Sequence, residues 1–295
     1  MNESYYADTS SVRAAGGSLA SLLESGRLRT SVLVAIELFN GMTDSEDAFR
    51  KRRAGLRTLK REIDFRMPEQ IIFSGFQALV DEFDFIENRT RSLEIILNAL
   101  DQADTLADFR HALDAATLNF PLDYFASYDQ KFESVFGRIV EIEAREVRCL
   151  FEDANAPKFD PTRTIPSEVL SGGLASFCDW LLADGNSLNE SLTQMSLATV
   201  AASLVIEPPS DELIHRAYNS YNGIGYTYLK ALSMKSTDLM RSNTHGQRND
   251  GMDVAHFLYL HEGEVLVSED LAQRELAERI GVSAITFNEL RGSLS

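Results

Sequence analysis

Apolar and polar positions alternate with two different periods along the chain. Short apolar runs at both ends are flanked by polar or turn-forming residues, which is typical of buried strands. The stretches between them repeat apolar residues every three or four positions, which is typical of amphipathic helices. The predicted strands are Tyr5–Ala7, Ile63–Met67, Val265–Val267 and Val282–Thr286; the predicted helices are Leu19–Leu23, Val32–Phe39, one starting at Thr43–Ser45, one starting at Asp250, and Leu271–Arg279, with Gly26–Arg29 as a returning turn.

The middle of the chain, residues 68–243, has a helical pattern throughout. Its apolar residues recur at spacings of three and four, for example at Leu93, Ile96, Leu97 and Leu100. Breaks fall at proline- and glycine-containing turns, which predicts about six to eight packed helices with little or no strand. We therefore expect an α/β fold class, with residues 1–67 and 244–295 forming one discontinuous α/β unit and residues 68–243 a large all-helical insertion.

Composition and charge narrow the classes of function. The chain has 295 residues, a formal net charge of −17 and a sequence pI of about 4.7. These values argue against a generic nucleic-acid coat, which would be basic overall, although a local basic face can still serve a nucleic-acid enzyme. The two cysteines, Cys149 and Cys178, have no metal-ligand spacing and fit a reducing compartment.

From the sequence we expect neither a targeting segment nor a membrane span. The first residues lack the basic and apolar regions of a signal peptide. The longest apolar stretch, Ser196–Ile206, is shorter than the roughly 20 residues that a membrane span needs. We expect a cytoplasmic protein without a membrane partner.

Acidic residues occur at the ends of predicted strands and at the starts of helices. Asp8 follows the first strand, Asp270 follows a later strand, and Glu37 interrupts an otherwise apolar helix. Asp250 and Asp253 are three residues apart, so both lie on one side of a first helical turn. Because functional groups of open α/β sheets collect at the carboxyl ends of strands, these carboxylates predict a site for a hard divalent cation.

Each of these acids also has an ordinary structural interpretation. Asp8 can be a loop residue or a helix cap, and Glu37 can face solvent. Asp250 and Asp253 are typical first-turn acids, because a helix N-terminus attracts negative charge, and Asp270 can cap the following helix. Both interpretations stay open for each residue taken alone, and the order of the whole set favours a common site.

The ordered set resembles the pattern of PIN-like nucleases, relatives of the flap-endonuclease superfamily. The first strand ends in Asp8-Thr9-Ser10, where the family commonly has Asn in the last position, and a later helix contains Glu37-Leu38. An acidic helix start follows at Asp250-x-x-Asp253-x-x-His256, and the closing element is Leu266-Val267-Ser268-Glu269-Asp270. The resemblance covers the two ends of the chain and not its helical middle.

The resemblance implies a parallel sheet flanked by helices, with an acidic pocket at one edge. Its metal ligands and catalytic residues would be Asp8, Glu37, Asp250 or Asp253, and Asp270. The pocket would bind one or two Mg²⁺ or Mn²⁺ ions and hydrolyse phosphodiester bonds, with RNA favoured over DNA. The residues implied to contact these carboxylates or the substrate phosphate are Thr9, Ser10 and Ser268.

A dense basic run follows the helix that contains Glu37. On a helix, Arg50, Arg53, Arg57, Lys60 and Arg61 would fall roughly on one face, which could follow a phosphate backbone. A solvated helix face explains the same run equally well. The run is therefore a candidate nucleic-acid-binding surface with a structural alternative.

Two other functions are consistent with the sequence. One is a non-catalytic helical protein-interaction module with a degenerate PIN-like unit, which would bind a protein partner or a second copy of the chain. The other is a metal-dependent hydrolase of small phosphoesters. Binding of Mn²⁺ distinguishes the nuclease from the first alternative, and a panel of substrates distinguishes it from the second.

Overall fold

The computed structural model describes residues 4–15, 26–59, 63–83, 88–152, 165–183, 187–244 and 250–293. Contacts divide the chain into two compact units. The first, here the sheet unit, comprises the described parts of 1–70, 85–131 and 259–295; the second, here the helical unit, comprises the described parts of 71–84 and 132–258. The predicted helix Leu19–Leu23 lies outside the described residues.

The sheet unit contains a five-stranded parallel sheet, which confirms the predicted α/β class. Tyr6 of the first strand pairs in register with Arg29 on one side and with Leu266 on the other. All three residues of that strand are buried, as expected at the centre of a parallel sheet covered on both faces. The strands are β1 (Tyr5–Ala7), β2 (Leu28–Ser31), β3 (Ile63–Asp64), β4 (Val265–Val267) and β5 (Ala284–Ile285), in the spatial order β3-β2-β1-β4-β5.

Helices flank the sheet and form nearly all of the helical unit. None of the helices in the described ranges is both long enough and apolar enough to cross a membrane. In chain order the α-helices are α1 (Thr9–Ala15), α2 (Val32–Phe39), α3 (Glu46–Leu59), α4 (Pro68–Ser74), α5 (Asn88–Gln102), α6 (Leu106–Ala115), α7 (Leu122–Ala126), α8 (Tyr128–Glu152), α9 (Ser167–Ser171), α10 (Gly173–Leu181), α11 (Ser187–Val205), α12 (Asp211–Asn219), α13 (Tyr226–Ser242), α14 (Asp250–Ala255), α15 (Leu271–Arg279) and α16 (Phe287–Ser293), with 3₁₀ segments at Gln77–Glu82 and His256–Tyr259.

The turn predicted at Gly26–Arg29 is wrong in its second half, because Leu28–Ser31 forms strand β2. Leu28 and Thr30 are buried, and the Thr30 hydroxyl donates to the carbonyl of Ala7 at 3.0 Å. Arg29 is accommodated in the strand because its guanidinium donates to both carboxylate oxygens of Glu264, each at 2.8 Å. This pairing joins residues far apart in sequence, so the local pattern does not predict the strand.

Strands β3 and β5 are shorter than the predicted Ile63–Met67 and Val282–Thr286. At the end of β3 the chain turns, because the Asp64 carboxylate accepts a hydrogen bond from the Arg66 backbone N–H at 3.0 Å. Burial opposes ionisation of Asp64, but its bonds to Arg66 prevail and lower the pKa of its carboxyl. Helix α4 then begins at Pro68, a residue suited to a first helical turn.

The helical unit is built around helix α11. Twelve of its nineteen residues are buried, which shows that the helix is covered on more than one side. It packs against α12 and α13, and α10 packs against α13. A buried apolar cluster joins Val147 of α8, Phe177 and Cys178 of α10, Leu192 of α11 and Met240 of α13. Within residues 68–243, the ten described helices α4–α13 exceed the predicted number.

The division by contacts does not follow the predicted domain boundaries at residues 67 and 244. Helices α5, α6 and α7 group with the sheet, because α3 packs against α5 and α6, and α2 packs against α7. Helix α14 groups with the helical unit. The described elements of the middle segment thus contribute to both units.

Candidate functional site

Asp8 lies at the carboxyl edge of the parallel sheet, between β1 and β4. It follows the last residue of β1, and its backbone N–H donates to the carbonyl of Val267 in β4 at 3.2 Å. Its side chain is buried, with 3% exposure. The spatial order of the strands reverses its direction here, since β2 and β3 extend from one side of β1, and β4 and β5 from the other. Crevices at such switch points are the usual ligand sites of open α/β sheets.

Three hydroxyls and one backbone N–H surround the Asp8 carboxylate. The bond from the backbone N–H of Ser11 makes Asp8 the N-terminal cap of α1, so the structural interpretation of this residue is observed. Asp8 accepts hydrogen bonds from Ser10 Oγ at 2.9 Å (Oδ1) and 2.8 Å (Oδ2), from Ser11 N at 2.9 Å, from Ser11 Oγ at 2.8 Å and from Ser268 Oγ at 2.7 Å.

Two of these hydroxyls have a second acceptor. Ser11 Oγ lies 2.8 Å from the carbonyl of Val267, and Ser268 Oγ lies 2.9 Å from Gln273 Oε1. A serine hydroxyl carries one proton, which rotates to suit its surroundings. Both protons can therefore turn away from Asp8 and leave its oxygens available to a cation, while the heavy atoms stay in place.

Glu37 approaches the same edge from helix α2. Every other residue of that helix is buried, whereas Glu37 is half-buried. The Thr9 hydroxyl donates a hydrogen bond to Glu37 Oε2. Since Thr9 is the residue directly after Asp8, this contact brings the acids from β1 and α2 to the same corner of the sheet.

The two carboxylates act electrostatically on Tyr6, which lies in β1 two residues before Asp8. The Tyr6 hydroxyl is hydrogen-bonded to Ser31 Oγ at 2.7 Å. Burial, and then the negative charges of Asp8 and Glu37, raise the pKa of Tyr6 well above its ordinary value, while the Ser31 bond opposes the rise. The corner of the sheet therefore has a negative potential, which favours a cation.

Asp270 is joined to Asp8 through one hydroxyl. Ser268 Oγ, which lies 2.7 Å from Asp8 Oδ2, accepts the backbone N–H of Asp270 at 3.0 Å. The Asp270 carboxylate is exposed and caps α15 by accepting the backbone N–H of Gln273 at 3.0 Å. The structure thus brings the start of α15 beside Asp8, and the Asp270 side chain has the capping role considered from the sequence.

Asp250 and Asp253 belong to the helical unit. They lie on the first turn of α14, as predicted. Asp250 is buried, and its carboxylate forms an ion pair with Lys235 Nζ at 2.8 Å. A role for either residue as a metal ligand with Asp8 remains a prediction.

The donors at the sheet edge suit a hard cation, since carboxylates and hydroxyls offer only oxygen. Asp8 and Glu37 supply charge, and the hydroxyls of Thr9, Ser10 and Ser268 are hydrogen-bonded to these carboxylates. Within the described ranges, no three His, Cys, Asp or Glu side chains are grouped closely enough to hold a metal ion. In ligand type, the oxygen donors at the sheet edge fit Mg²⁺ or Mn²⁺. The carboxylates of the sheet unit would hold the ion after the serine hydroxyls rotate away and free the carboxylate oxygens.

The basic run on α3 is largely engaged in ion pairs. Arg53 and Arg57 pair with carboxylates of the segment that includes α5, and Arg50 pairs within its own helix. Because each of these three arginines is paired with an acid, its attraction for a phosphate is reduced. Lys60 and Arg61 lie outside the described residues. Nucleic-acid binding by the run remains a prediction. The pairs are Arg50–Glu46 at 3.2 Å, Lys51–Asp47 at 2.7 Å, Arg53–Asp104 at 3.1 Å and Arg57–Asp101 at 3.0 Å.

Sequence patterns missed four residues near the site. Ser11 and Gln273 contact the carboxylates or their hydroxyls, and both follow an acid at the three-residue spacing of a helix cap. That spacing was a usable signal. Arg13 donates a hydrogen bond to the carbonyl of Glu37, and Arg52 lies close enough to Arg13 for their charges to interact; nothing in their local sequence distinguishes them from neighbouring arginines.

Comparison with known proteins leaves the family of the chain open, so the functional interpretation rests on the site. No protein-family model, no curated protein sequence and no solved structure matches this chain.

Proposed function

We propose that the protein is a metal-dependent nuclease of the PIN-like type that hydrolyses phosphodiester bonds, with RNA as its substrate class. One observation carries the proposal. Asp8 and Glu37, which come from different elements, converge on either side of Thr9 at the carboxyl edge of the sheet. If each acid only stabilised its own helix, there would be no reason for the two to meet where the strand order reverses its direction.

The order of elements supports the same proposal. An acid follows the central strand, a second acid lies on α2, and Ser268 and Asp270 follow β4, next to the central strand. This is the sequence of positions on which the resemblance to PIN-like nucleases rests. The hydroxyls between these acids keep them oriented without adding positive charge.

The ions implied are Mg²⁺ or Mn²⁺, which Asp8, Glu37 and Asp270 of the sheet unit would hold. When bound, such an ion supplies an activated water and neutralises charge on the phosphoryl group. The residues of the chain itself hold the carboxylates in place: Ser268 links Asp8 to the start of α15, and Thr9 fixes Glu37.

The alternative function is a non-catalytic interaction module, and one observation favours it. The Asp8 carboxylate caps α1 and accepts hydrogen bonds from three serines, and four cations of α3 (Arg50, Lys51, Arg53 and Arg57) are paired within the protein. Under this alternative the acids stabilise local structure only. The protein would then neither bind Mn²⁺ at the sheet edge nor cleave nucleic acid.

Cleavage assays test the proposed function. We expect the purified chain to cut a labelled single-stranded oligoribonucleotide in Mg²⁺ or Mn²⁺, and to lose this activity when EDTA removes the metal. Parallel reactions contain single-stranded DNA and a small phosphate monoester. Hydrolysis of the small ester alone would point to a phosphoesterase, and a folded protein inactive on every substrate would contradict the proposal.

A further inference from the structure

Arg52 differs from the other described cations of α3. Arg50, Lys51, Arg53 and Arg57 each pair with a carboxylate. Arg52 has no ion-pair partner among the described residues, and its Nη1 is buried without a hydrogen-bond acceptor. A buried donor without a partner costs about 1–3 kcal/mol, and more when charged, so its retention needs a reason.

The surroundings of Arg52 place it near Glu37. Gly55, one turn further along α3, would contact Leu38 of α2 and Val12 of α1 if it carried a side chain, at 3.7 and 3.8 Å. Helix α3 therefore lies against both α1 and α2 on the face that Arg52 shares with Gly55. Leu38 is the neighbour of Glu37 in sequence, so this face borders the Glu37 side of the site.

Gly41 allows the backbone to approach the Arg52 guanidinium closely. A β-carbon at this position would lie 2.8 Å from Arg52 Nη1 and equally close to Asp44 Oδ2. Its φ of 68° also lies in the left-handed region, which favours glycine. Gly41 and Asp44 therefore pack close to the buried Nη1, while the Arg52 side chain as a whole is half-buried.

A second arginine, Arg13 of helix α1, follows Val12, which lies against α3 beside Gly55. Arg13 is exposed, and its one described hydrogen bond is a long one of 3.5 Å, from Nη2 to the carbonyl of Glu37. Burial, and then the charge of Arg13, lower the pKa of Arg52, while Asp44 opposes this. Arginine nevertheless stays protonated at physiological pH, so two guanidinium charges repel each other here. An anion between them would relieve that repulsion.

We propose that Arg13 and Arg52 form a phosphate-binding pair that holds a backbone phosphodiester of single-stranded nucleic acid next to the Glu37 side of the site. The planar guanidinium fork matches the oxygens of a phosphate, and the exposed Arg13 and half-buried Arg52 both keep part of their side chains at the surface. The choice of nucleic acid as the source of the phosphate rests on the proposed function. The anion site itself follows from the two arginines.

Fluorescence anisotropy of a labelled oligoribonucleotide in EDTA tests the pair without requiring cleavage. We expect Arg52→Gln and Arg13→Gln each to weaken binding about tenfold and to reduce the slope of log Kd against log salt by about one. Arg138→Gln, which removes an ion-paired cation of helix α8, should leave both quantities unchanged. Competition with inorganic phosphate separates a site for free phosphate from a site for a phosphodiester. Displacement of the oligonucleotide by a low concentration of phosphate would indicate a free-phosphate site and contradict the proposal, whereas binding that persists would support it.

Thermal unfolding of the same variants separates binding from a structural role. Arg52→Gln should unfold no earlier than the wild type, because it removes a buried donor without a partner. Wild-type affinity and salt slope in both arginine variants would overturn the proposal, as would the absence of any oligonucleotide binding by the wild type. Oligonucleotide binding that depends on Arg52, in a protein that cleaves nothing, would contradict the proposed nuclease function and support the phosphate-binding pair. Cleavage by the wild type, with normal binding by both arginine variants, would support the nuclease function and contradict the pair.

Discussion

Asp8→Asn is expected to reduce metal-dependent RNA cleavage about a hundredfold or more. Asparagine keeps the size of the side chain and a carbonyl oxygen that can cap α1, so the local fold should persist. It removes the negative charge that would attract the cation, and loss even of residues that only support metal ligands costs 10–100-fold. Initial rates at several Mn²⁺ concentrations measure the effect, and Asp270→Asn should act in the same direction.

Asp47→Asn is the matched control for Asp8→Asn. Asp47 lies on α3 with its side chain 75% exposed and paired only with Lys51 in the structure described. Its substitution should leave the cleavage rate unchanged. Equal rates in the wild type and Asp8→Asn, with both proteins folded, would show that the cleavage does not arise at this site.

Glu143→Gln is expected to stabilise the helical unit at pH 8. Glu143 of α8 is fully buried; its Oε2 accepts a hydrogen bond from the Thr193 hydroxyl at 3.0 Å, and its Oε1 has no hydrogen-bond partner within the described part of the chain. Burial raises the pKa of Glu143 to about 8, against the lowering effect of the Ser236 and Thr193 hydroxyls. The folded protein therefore holds this carboxyl in its neutral form at lower pH.

The raised pKa makes stability fall as the pH increases. An unfolded glutamate loses its proton near pH 4.5, whereas folded Glu143 keeps it to about pH 8. Between these values the folded state binds more protons than the unfolded state, so the free energy of unfolding decreases by up to about 1.4 kcal/mol per pH unit. Below pH 4.5 the carboxyl is protonated in both states, so the free energy of unfolding is not reduced. Above about pH 8 it is ionised in both states, and the reduction has reached its full size. Glutamine cannot ionise and should remove the dependence.

Urea unfolding of the protein between about pH 5 and about pH 9, from just above the unfolded pKa to about one unit above the folded pKa, measures this effect. Glu143→Gln should give a flatter pH profile than the wild type and a higher unfolding free energy at pH 8. Glu141→Gln, an exposed position on the same helix, serves as the control and should follow the wild type. A Glu143→Gln profile as steep as that of the wild type would contradict the assignment.

Local sequence patterns predicted the elements whose burial is visible in their own residues. Strands β1 and β4 and helices α2 and α15 have apolar runs of the expected period, and all four are observed. Strand β2 was missed because Leu28-Arg29-Thr30-Ser31 contains one apolar residue. Its charged member is neutralised by Glu264, from the other end of the chain. Such a partner cannot be read from a local window.

The candidate site was predictable in part for a similar reason. Parallel strands end at one edge, so the acids after β1 and β4 were expected to lie there together. Ser268, which only the family resemblance indicated, contacts Asp8. The ion pairs of Arg53 and Arg57 depend on the packing of α3 against α5, and this packing has no local signal. Arg52 could be distinguished from its neighbours only once those pairs were known.

Isothermal titration with Mn²⁺ tests the central claim, that carboxylates from opposite ends of the chain hold a divalent cation at the sheet edge. We expect the wild type to bind Mn²⁺ saturably in or below the millimolar range. Asp8→Asn and Glu37→Gln should each weaken that binding, and Asp47→Asn should not. A folded wild-type protein that takes up no Mn²⁺ at millimolar concentrations would contradict the claim.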